Sequence, residues 1–310
     1  MKILITGGAG FIGSHTVDLL INKGHKVVII DNLSTGKNEN LNIKAKFYKE
    51  DLNNFEKISE IFETEKPEVV YHFAAQIDVR KSVENPVSDA QTNILAAINL
   101  LELCVKHNIQ HFIFSSTGGA IYGEAETPTT ENIEPNPISP YGCAKLSIEK
   151  YLNYYNKIHG LKYTILRYAN VYGPRQNSKG EAGVVAIFFD KIIANENPKI
   201  YGGLQTRDFV YVKDVALANM LALTDKESNV YNVGTSKESD IISIFSKINY
   251  LFNNKSTVEY LEKKKGEQQK SCLSYKKINE FLGWFPTVTI DEGLGQIYLD
   301  YLKKNISNQY

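Results

Sequence analysis

Hydrophobic positions along this chain follow two alternating rhythms. Short β-branched runs, Ile3 to Thr6, Lys26 to Ile30, Val69 to Phe73, His111 to Ser115 and Tyr163 to Arg167, read as strands. Between them, Ser14 to Lys23, Phe55 to Glu65, Ala90 to Asn108 and Tyr141 to Ile158 repeat apolar residues every three or four positions and read as helices. Strands that are apolar throughout and separated by helices predict a parallel sheet covered on both faces. The expected class is therefore α/β, a doubly wound (Rossmann) sheet with right-handed crossovers.

The alternation fades after Asn170-Val171-Tyr172-Gly173-Pro174. A helical stretch from Val184 to Ala194 and a loop carrying Gly202, Gly203 and Gln205 announce a second lobe, while Arg207 to Val212 and the strand-like Val230 to Val233 return to the first. The expected division is residues 1–173 rejoined by 208–234 as the large domain, with 174–207 and 235–310 as a smaller interleaved C-terminal lobe. Ile94 to Val105 is apolar on nearly every side, more than one sheet face would cover. That predicts a homodimer joined through helices 90–108 and 141–158; the alternative is a central place in a monomer.

Composition narrows the partners. Equal totals of 35 acidic and 35 basic residues remove any general electrostatic reason to expect nucleic acid or an anionic membrane. The apolar start, Ile3 to Ile5, meets Gly7 too soon for a signal peptide or a membrane span, so a cytoplasmic protein is expected. Cys104, Cys143 and Cys272 have neither disulfide nor metal-ligand spacing, which predicts a reducing compartment, buried inert thiols and no metal. Lysine outnumbers arginine 31 to 4, so Arg80, Arg167, Arg175 and Arg207 stand out as candidates for gripping an anion bidentately, against the plainer reading of exposed charge.

The chemistry begins at Gly7-Gly8-Ala9-Gly10-Phe11-Ile12-Gly13, directly after the first strand. Glycines at 7, 10 and 13 permit a tight turn and bring backbone N–H groups to a pyrophosphate at a helix N-terminus, where the dipole favours negative charge. Asp31, 18 residues beyond Gly13 and at the end of strand two, completes the context of a dinucleotide site. Its carboxylate can accept hydrogen bonds from the adenosine ribose and would repel a 2′-phosphate, so NAD is favoured over NADP. Asp51 is a candidate for the adenine amino group. Phe73-Ala74-Ala75-Gln76 offers small residues where a cofactor must pass, although Ala74 and Ala75 can equally be packing residues.

Tyr141 and Lys145 lie one helical turn apart at the start of a helix. With 19 tyrosines and 31 lysines, roughly two Tyr-x-x-x-Lys matches arise by chance. The second is Tyr260 and Lys264; context favours the first, which follows a strand ending in Ser115-Ser116-Thr117 and a Pro-rich loop. Free tyrosine, with a pKa of about 10, needs a neighbouring cation before its phenolate can serve as a base near neutrality. Lys145 supplies that cation, Thr117 can share the substrate's hydroxyl proton, and Lys145 can also hold the nicotinamide ribose.

Taken together, these residues resemble the extended short-chain dehydrogenase/reductase family, specifically nucleotide-sugar 4-epimerases of the UDP-glucose 4-epimerase type. The resemblance spans nearly the whole chain: Thr6 to Gly13, Asp31-Asn32-Leu33-Ser34, His72 to Gln76, Ser115 to Thr117, Ser139 to Lys145, Tyr168 to Arg175, Arg207-Asp208 and Leu282-Gly283-Trp284. It implies a tightly held NAD that oxidises a UDP-hexose at carbon 4 and returns the hydride to the other face after the 4-keto sugar has turned. It further implies Tyr141 as base, Lys145 as the residue tuning it, and Thr117 as hydroxyl partner. Phe11, Ile12, Asp31, Asn32, Asp51, Leu52, Asn93 and Tyr168 match positions that line NAD; Asn170 and Arg207 match positions that hold the diphosphate.

Departures from the family pattern bear on the substrate. Gly118-Gly119-Ala120-Ile121 is one residue longer than in many relatives, which leaves Ser116 as an alternative catalytic hydroxyl. Lys264-Lys265-Gly266-Glu267 stands where relatives carry an Arg-x-Gly-Asp phosphate contact, putting a point charge in place of a planar fork. Ser271 is small at a position that limits sugar size, which predicts room for an N-acetyl group and hence for UDP-N-acetylglucosamine. A 4,6-dehydratase would need an acidic pair where Gly118 and Gly119 stand. A decarboxylase, a reductase and a non-catalytic NAD sensor are the remaining alternatives, and an intact Tyr141, Lys145 and Thr117 argues against the last.

Overall fold

The computed structural model describes residues 1–178, 183–262 and 268–307. The first half of the chain lays down β1 (Lys2–Thr6), α1 (Phe11–Asn22), β2 (Lys26–Ile30), β3 (Lys46–Tyr48), α2 (Phe55–Glu65), β4 (Val69–His72), α3 (Val79–Glu84), α4 (Pro86–Ala90) and α5 (Ala96–Lys106). Next come β5 (His111–Thr117), α6 (Gly118–Ile121), α7 (Pro140–His159), β6 (Tyr163–Tyr168) and β7 (Asn170–Tyr172). The remainder supplies α8 (Val184–Ile193), β8 (Lys199–Tyr201), β9 (Thr206–Arg207), β10 (Phe209–Tyr211), α9 (Val212–Ala222), β11 (Asn229–Val233), β12 (Ser239–Asp240) and α10 (Ile241–Leu251). It ends with β13 (Glu259–Leu261), β14 (Lys270–Ser271), α11 (Lys276–Leu282) and α12 (Ile290–Ser307).

Seven parallel strands form one sheet in the order β11-β6-β5-β4-β1-β2-β3. The order reverses between β1 and β4, so the loops leaving these two strands diverge and open a crevice at their C-terminal ends. Strand alternation divides the core. Ile3 and Ile5 face the side covered by α1 and α9, whereas Leu4 joins Phe62, Leu100, Phe112 and Ile148 on the side covered by α2, α5 and α7. A third core of aromatic and branched residues, including Phe188, Phe245 and Leu294, lies among α8, α10 and α12.

The predicted strands and helices match within a few residues, with three differences. The run from Ala90 to Asn108 is not one α-helix, because Gln91–Leu95 forms a π-helical turn between α4 and α5. The apolar circumference of α5 is explained inside the chain: Ala97, Leu100, Leu101 and Cys104 are buried, packed between the sheet, α2 and α7. In the returning segment, β11 forms the edge of the large sheet, but β10 pairs with β7 in a separate two-stranded sheet. One cysteine also departs from expectation, since Cys104 and Cys272 are buried but Cys143, on the outer side of α7, is exposed. Among the described residues, no helix is long and apolar enough to cross a membrane.

Candidate active site

The crevice over β1 and β4 is a cleft of about 1120 Å³ reaching from the glycine loop to α8. Its floor requires glycine. Gly7 adopts φ +71°, and a Cβ there would lie 2.6 Å from the Ala74 nitrogen; one on Gly13 would lie 2.2 Å from the Gly7 carbonyl oxygen. No side chain caps α1, whose N-cap is Gly10, so its first-turn N–H groups face the cleft at the positive end of the helix dipole. That is the cradle a pyrophosphate needs.

At the far end of this loop, Asp31 accepts hydrogen bonds from the Ala9 N–H (3.0 Å) and the Leu33 N–H (2.8 Å). Burial pushes its carboxyl upward, and these two donors partly offset the shift. Leu33 serves through its backbone, held at φ +61°. Asn32 donates to Asp51 at 2.7 Å, and Asn53 N–H with the Asn32 amide keeps the Asp51 carboxyl below its usual range. Asn32, Ser34, Asp51 and Leu52 line the Asp31 end of the cleft, and Phe73, Ala74, Ala75 and Gln76 also line it.

Asn93 is placed differently. It is 4 % exposed and donates to the Gln76 carbonyl while accepting from the Gln76 N–H, both at 2.8 Å, with Asp89 accepting a further bond. The π turn points Asn93 back at the loop after β4, so it shapes the cleft wall from behind.

The wall that carries Tyr141, Lys145 and Thr117 is built by β5 and α7. Ser139 caps α7 through its hydroxyl, Pro140 occupies the first turn, and Gly160 closes the helix at φ +71°. Tyr141 and Lys145 consequently present to the cleft, with the Lys145 ammonium 2.8 Å from the Ser115 carbonyl oxygen, 5.8 Å from the Tyr141 ring centre and 4.8 Å from that of Phe114. Thr117 lines the same wall, its hydroxyl oxygen accepting from the Ala120 N–H at 3.2 Å. Ser116 also lines the cleft, but it is buried and its hydroxyl donates to Glu149 at 2.6 Å. Tyr168 offers its ring to the cleft, but its hydroxyl is buried on Asn219.

On the opposite wall stand Asn170 and Arg207. The Asn170 side-chain oxygen is buried without a hydrogen-bond partner among the described residues. Arg207 is braced by the carbonyls of Thr206 (2.8 Å) and Gln268 (3.0 Å). Directly after it, buried Asp208 accepts from Thr235 and the Leu273 N–H, and burial pushes its carboxyl up to about 6. Ser271 pairs with Arg207 across β14 and β9 but is buried and absent from the cleft lining. Lys264 lies outside the described residues.

Of the rare arginines, Arg80 and Arg175 also line the cleft, and Arg175 is paired with Asp18 at 2.8 Å. Arg167 does grip an anion bidentately, but that anion is the buried Glu149. Glu149 and Asp89 escaped the sequence reading. Glu149 had one available signal, its place one further turn along the helix from Lys145.

A family model for the NAD dependent epimerase/dehydratase family matches residues 3–234, which contain the glycine loop, Asp31, Thr117, Tyr141 and Lys145. The chain belongs to that family. The crystal structure of UDP-glucose 4-epimerase from Thermotoga maritima with UDP-glucose is 48% identical, with a TM-score of 0.95, covering 99% of this chain and 100% of that one. A Thermus thermophilus UDP-glucose 4-epimerase complexed with NAD is 40% identical, with a TM-score of 0.91, over 98% and 99% of the two chains. A UDP-N-acetylglucosamine 4-epimerase from Methanobrevibacter ruminantium, complexed with UDP-N-acetylmuramic acid, is 37% identical, with a TM-score of 0.90, over 98% of each. The glycine cradle and Asp31 of this chain fit NAD, the cofactor in the family's description.

Proposed function

We propose that this protein is an NAD-dependent 4-epimerase of UDP-hexoses, interconverting UDP-glucose and UDP-galactose. The observation that carries this reading is the convergence of Tyr141, Lys145 and Thr117 on the wall of a cleft whose other end is a glycine cradle with Asp31. Gly7, Gly10, Phe11, Ile12 and Gly13 hold the pyrophosphate, Asp31 with Asn32 the adenosine ribose, and Lys145 the nicotinamide ribose. NAD, when bound, would supply a reversible hydride acceptor. Tyr141 takes the proton of the sugar's 4-hydroxyl, and the Lys145 ammonium stabilises the phenolate that makes this possible. Thr117 relays that proton, because its hydroxyl lies on the cleft side, whereas Ser116 is engaged by Glu149. Asn170 and Arg207 would grip the diphosphate, the pivot about which the 4-keto sugar turns before the hydride returns to its carbon 4 and Tyr141 returns the proton to the oxygen.

Gly119 argues against the dehydratase alternative. A Cβ built there meets only the Asn170 side-chain oxygen at 3.9 Å and the Thr117 hydroxyl at 4.0 Å, so the wall offers open space where an acid would have to stand. Acceptance of UDP-N-acetylglucosamine is supported by the Methanobrevibacter relative and is not carried by Ser271, which is buried. We also assign a homodimer. With α5 covered, its surface is the stripe of Tyr151, Tyr154 and Ile158 on α7 beside Leu95, all exposed. Sedimentation of the Tyr154→Asp variant as a monomer is the expected result.

The test of function is incubation of purified protein with UDP-glucose, without added cofactor, followed by proton NMR. UDP-galactose should appear up to equilibrium, and Tyr141→Phe should abolish it while circular dichroism stays unchanged. A 4-keto-6-deoxy product, or no product with any UDP-hexose, would overturn the reading.

A further inference from the structure

Ser116, Glu149 and Arg167 form a buried charged cluster that no step of the proposed reaction uses. The Glu149 carboxylate accepts from the Ser116 hydroxyl at 2.6 Å, from Arg167 Nε at 3.0 Å and from an Arg167 terminal nitrogen at 2.5 Å. The remaining arm of Arg167 donates to the Tyr122 hydroxyl at 2.7 Å, which donates to Asn232 Oδ1 at 2.9 Å. Ser116, Arg167 and Asn232 are in register on β5, β6 and β11, so one face of three neighbouring strands carries the row. Burial works against the Arg167 charge, but its bonds to Glu149 outweigh this and hold the guanidinium above its usual range.

Resting on the assignment of Tyr141, Lys145 and Thr117 to the chemistry, we propose that Glu149, held by Arg167, is a positioning residue whose grip on Ser116 sets the register of α7 against the end of β5. Tyr141, Lys145 and Glu149 follow at intervals of four on α7 and share a face of the helix. Two hydrogen bonds therefore cross from this face to β5 one turn apart, Lys145 to the Ser115 carbonyl and Ser116 to Glu149. Apolar packing of Ile148, Leu152 and Tyr155 holds the helix against the sheet without direction, and the pair of hydrogen bonds adds two directional ties one turn apart.

The cluster also brackets Thr117. Ser116 precedes it directly, and Tyr122 follows α6, the short helix that Thr117 caps. A buried ion pair contributes little net stability compared with well-packed apolar residues of the same volume. With its donors matched to acceptors it does enforce one geometry, which is what a base, its cation and a proton-sharing hydroxyl require.

The test is steady-state kinetics of Ser116→Ala, which removes the crossing hydrogen bond and leaves the ion pair in place. Misplacement by about 1 Å costs on the order of a hundredfold in rate, so this partial loosening should lower kcat about tenfold while KM stays within about twofold. Ile148→Val, a loss of one methylene from the buried face of the same helix, should destabilise α7 without that drop in kcat. Should Ser116→Ala fail to fold, Ser116→Cys, a weaker donor, carries the same readout. Wild-type kcat in the Ser116 variant, or an equal fall in Ile148→Val, would overturn the proposal while leaving the epimerase reading intact. Absence of epimerisation by the wild-type protein would remove that reading and this one together.

Discussion

Two neighbouring hydroxyls on β5 have different partners because a strand turns successive side chains to opposite faces. Both line the cleft, but the Thr117 hydroxyl accepts from the Ala120 N–H whereas the Ser116 hydroxyl donates to Glu149 of the Glu149–Arg167 pair. Spacing alone left the two as alternatives, since the extra residue in Gly118 to Ile121 blurs any count along the chain. Thr117→Ala should lower kcat by about a hundredfold, within the usual range for a proton-relaying group, with little effect on the thermal midpoint. The same assay used for UDP-galactose formation checks it, and an undiminished rate would move the role to another hydroxyl. Tyr141 and Lys145 were legible because they are joined by one turn of helix. Glu149 was not, because its partners lie 33 residues before it and 18 after.

At the scale of elements, the π turn at Gln91–Leu95 carries the largest difference between pattern and structure. Helical periodicity runs through it unbroken, since one widened turn barely alters the order of apolar positions. The turn places Asn93 against both backbone groups of Gln76, fixing the loop that follows β4. Asn93→Ala should leave these half-buried groups without their partner and cost up to about 1–3 kcal/mol for each one not rescued by water, measurable by urea unfolding. The purified variant should also carry less NAD than wild type, read from its absorbance after denaturation. Full NAD occupancy would show that the Gln76 loop holds its shape without this residue. Resemblance implies Asn93 at the cofactor; only the tertiary structure pairs it with the backbone of Gln76.

Across the whole molecule, burial controls pH behaviour. His72 and His111 sit inside the sheet, His72 on Thr6 at 2.7 Å and His111 on Thr164 at 2.9 Å, and burial lowers each to about 3. A histidine whose folded pKa is depressed stabilises the fold above its unfolded value of about 6.5, and that stability drains away as pH falls toward the folded value. Their contribution should fall by about 1.4 kcal/mol per pH unit for each histidine below pH ~6.5, partly offset by Asp208, whose raised pKa of about 6 adds stability as pH falls toward its unfolded value. Thermal midpoints between pH 7 and 4.5 should therefore fall, and His111→Gln should flatten the slope; a level profile would contradict neutral burial.

The doubly wound class, the glycine loop, Asp31 and the Tyr141–Lys145 pair could be read from the chain because each leaves a local mark, an alternation of strand and helix periods or a fixed spacing along one element. Folding in three dimensions alone joined Ser116 to Glu149 and Arg167, set Arg207 beside Gln268, and closed α5 between sheet and helices. Such contacts link residues far apart in sequence through the sheet order and the helix packing, and no local period records which distant side chain will arrive.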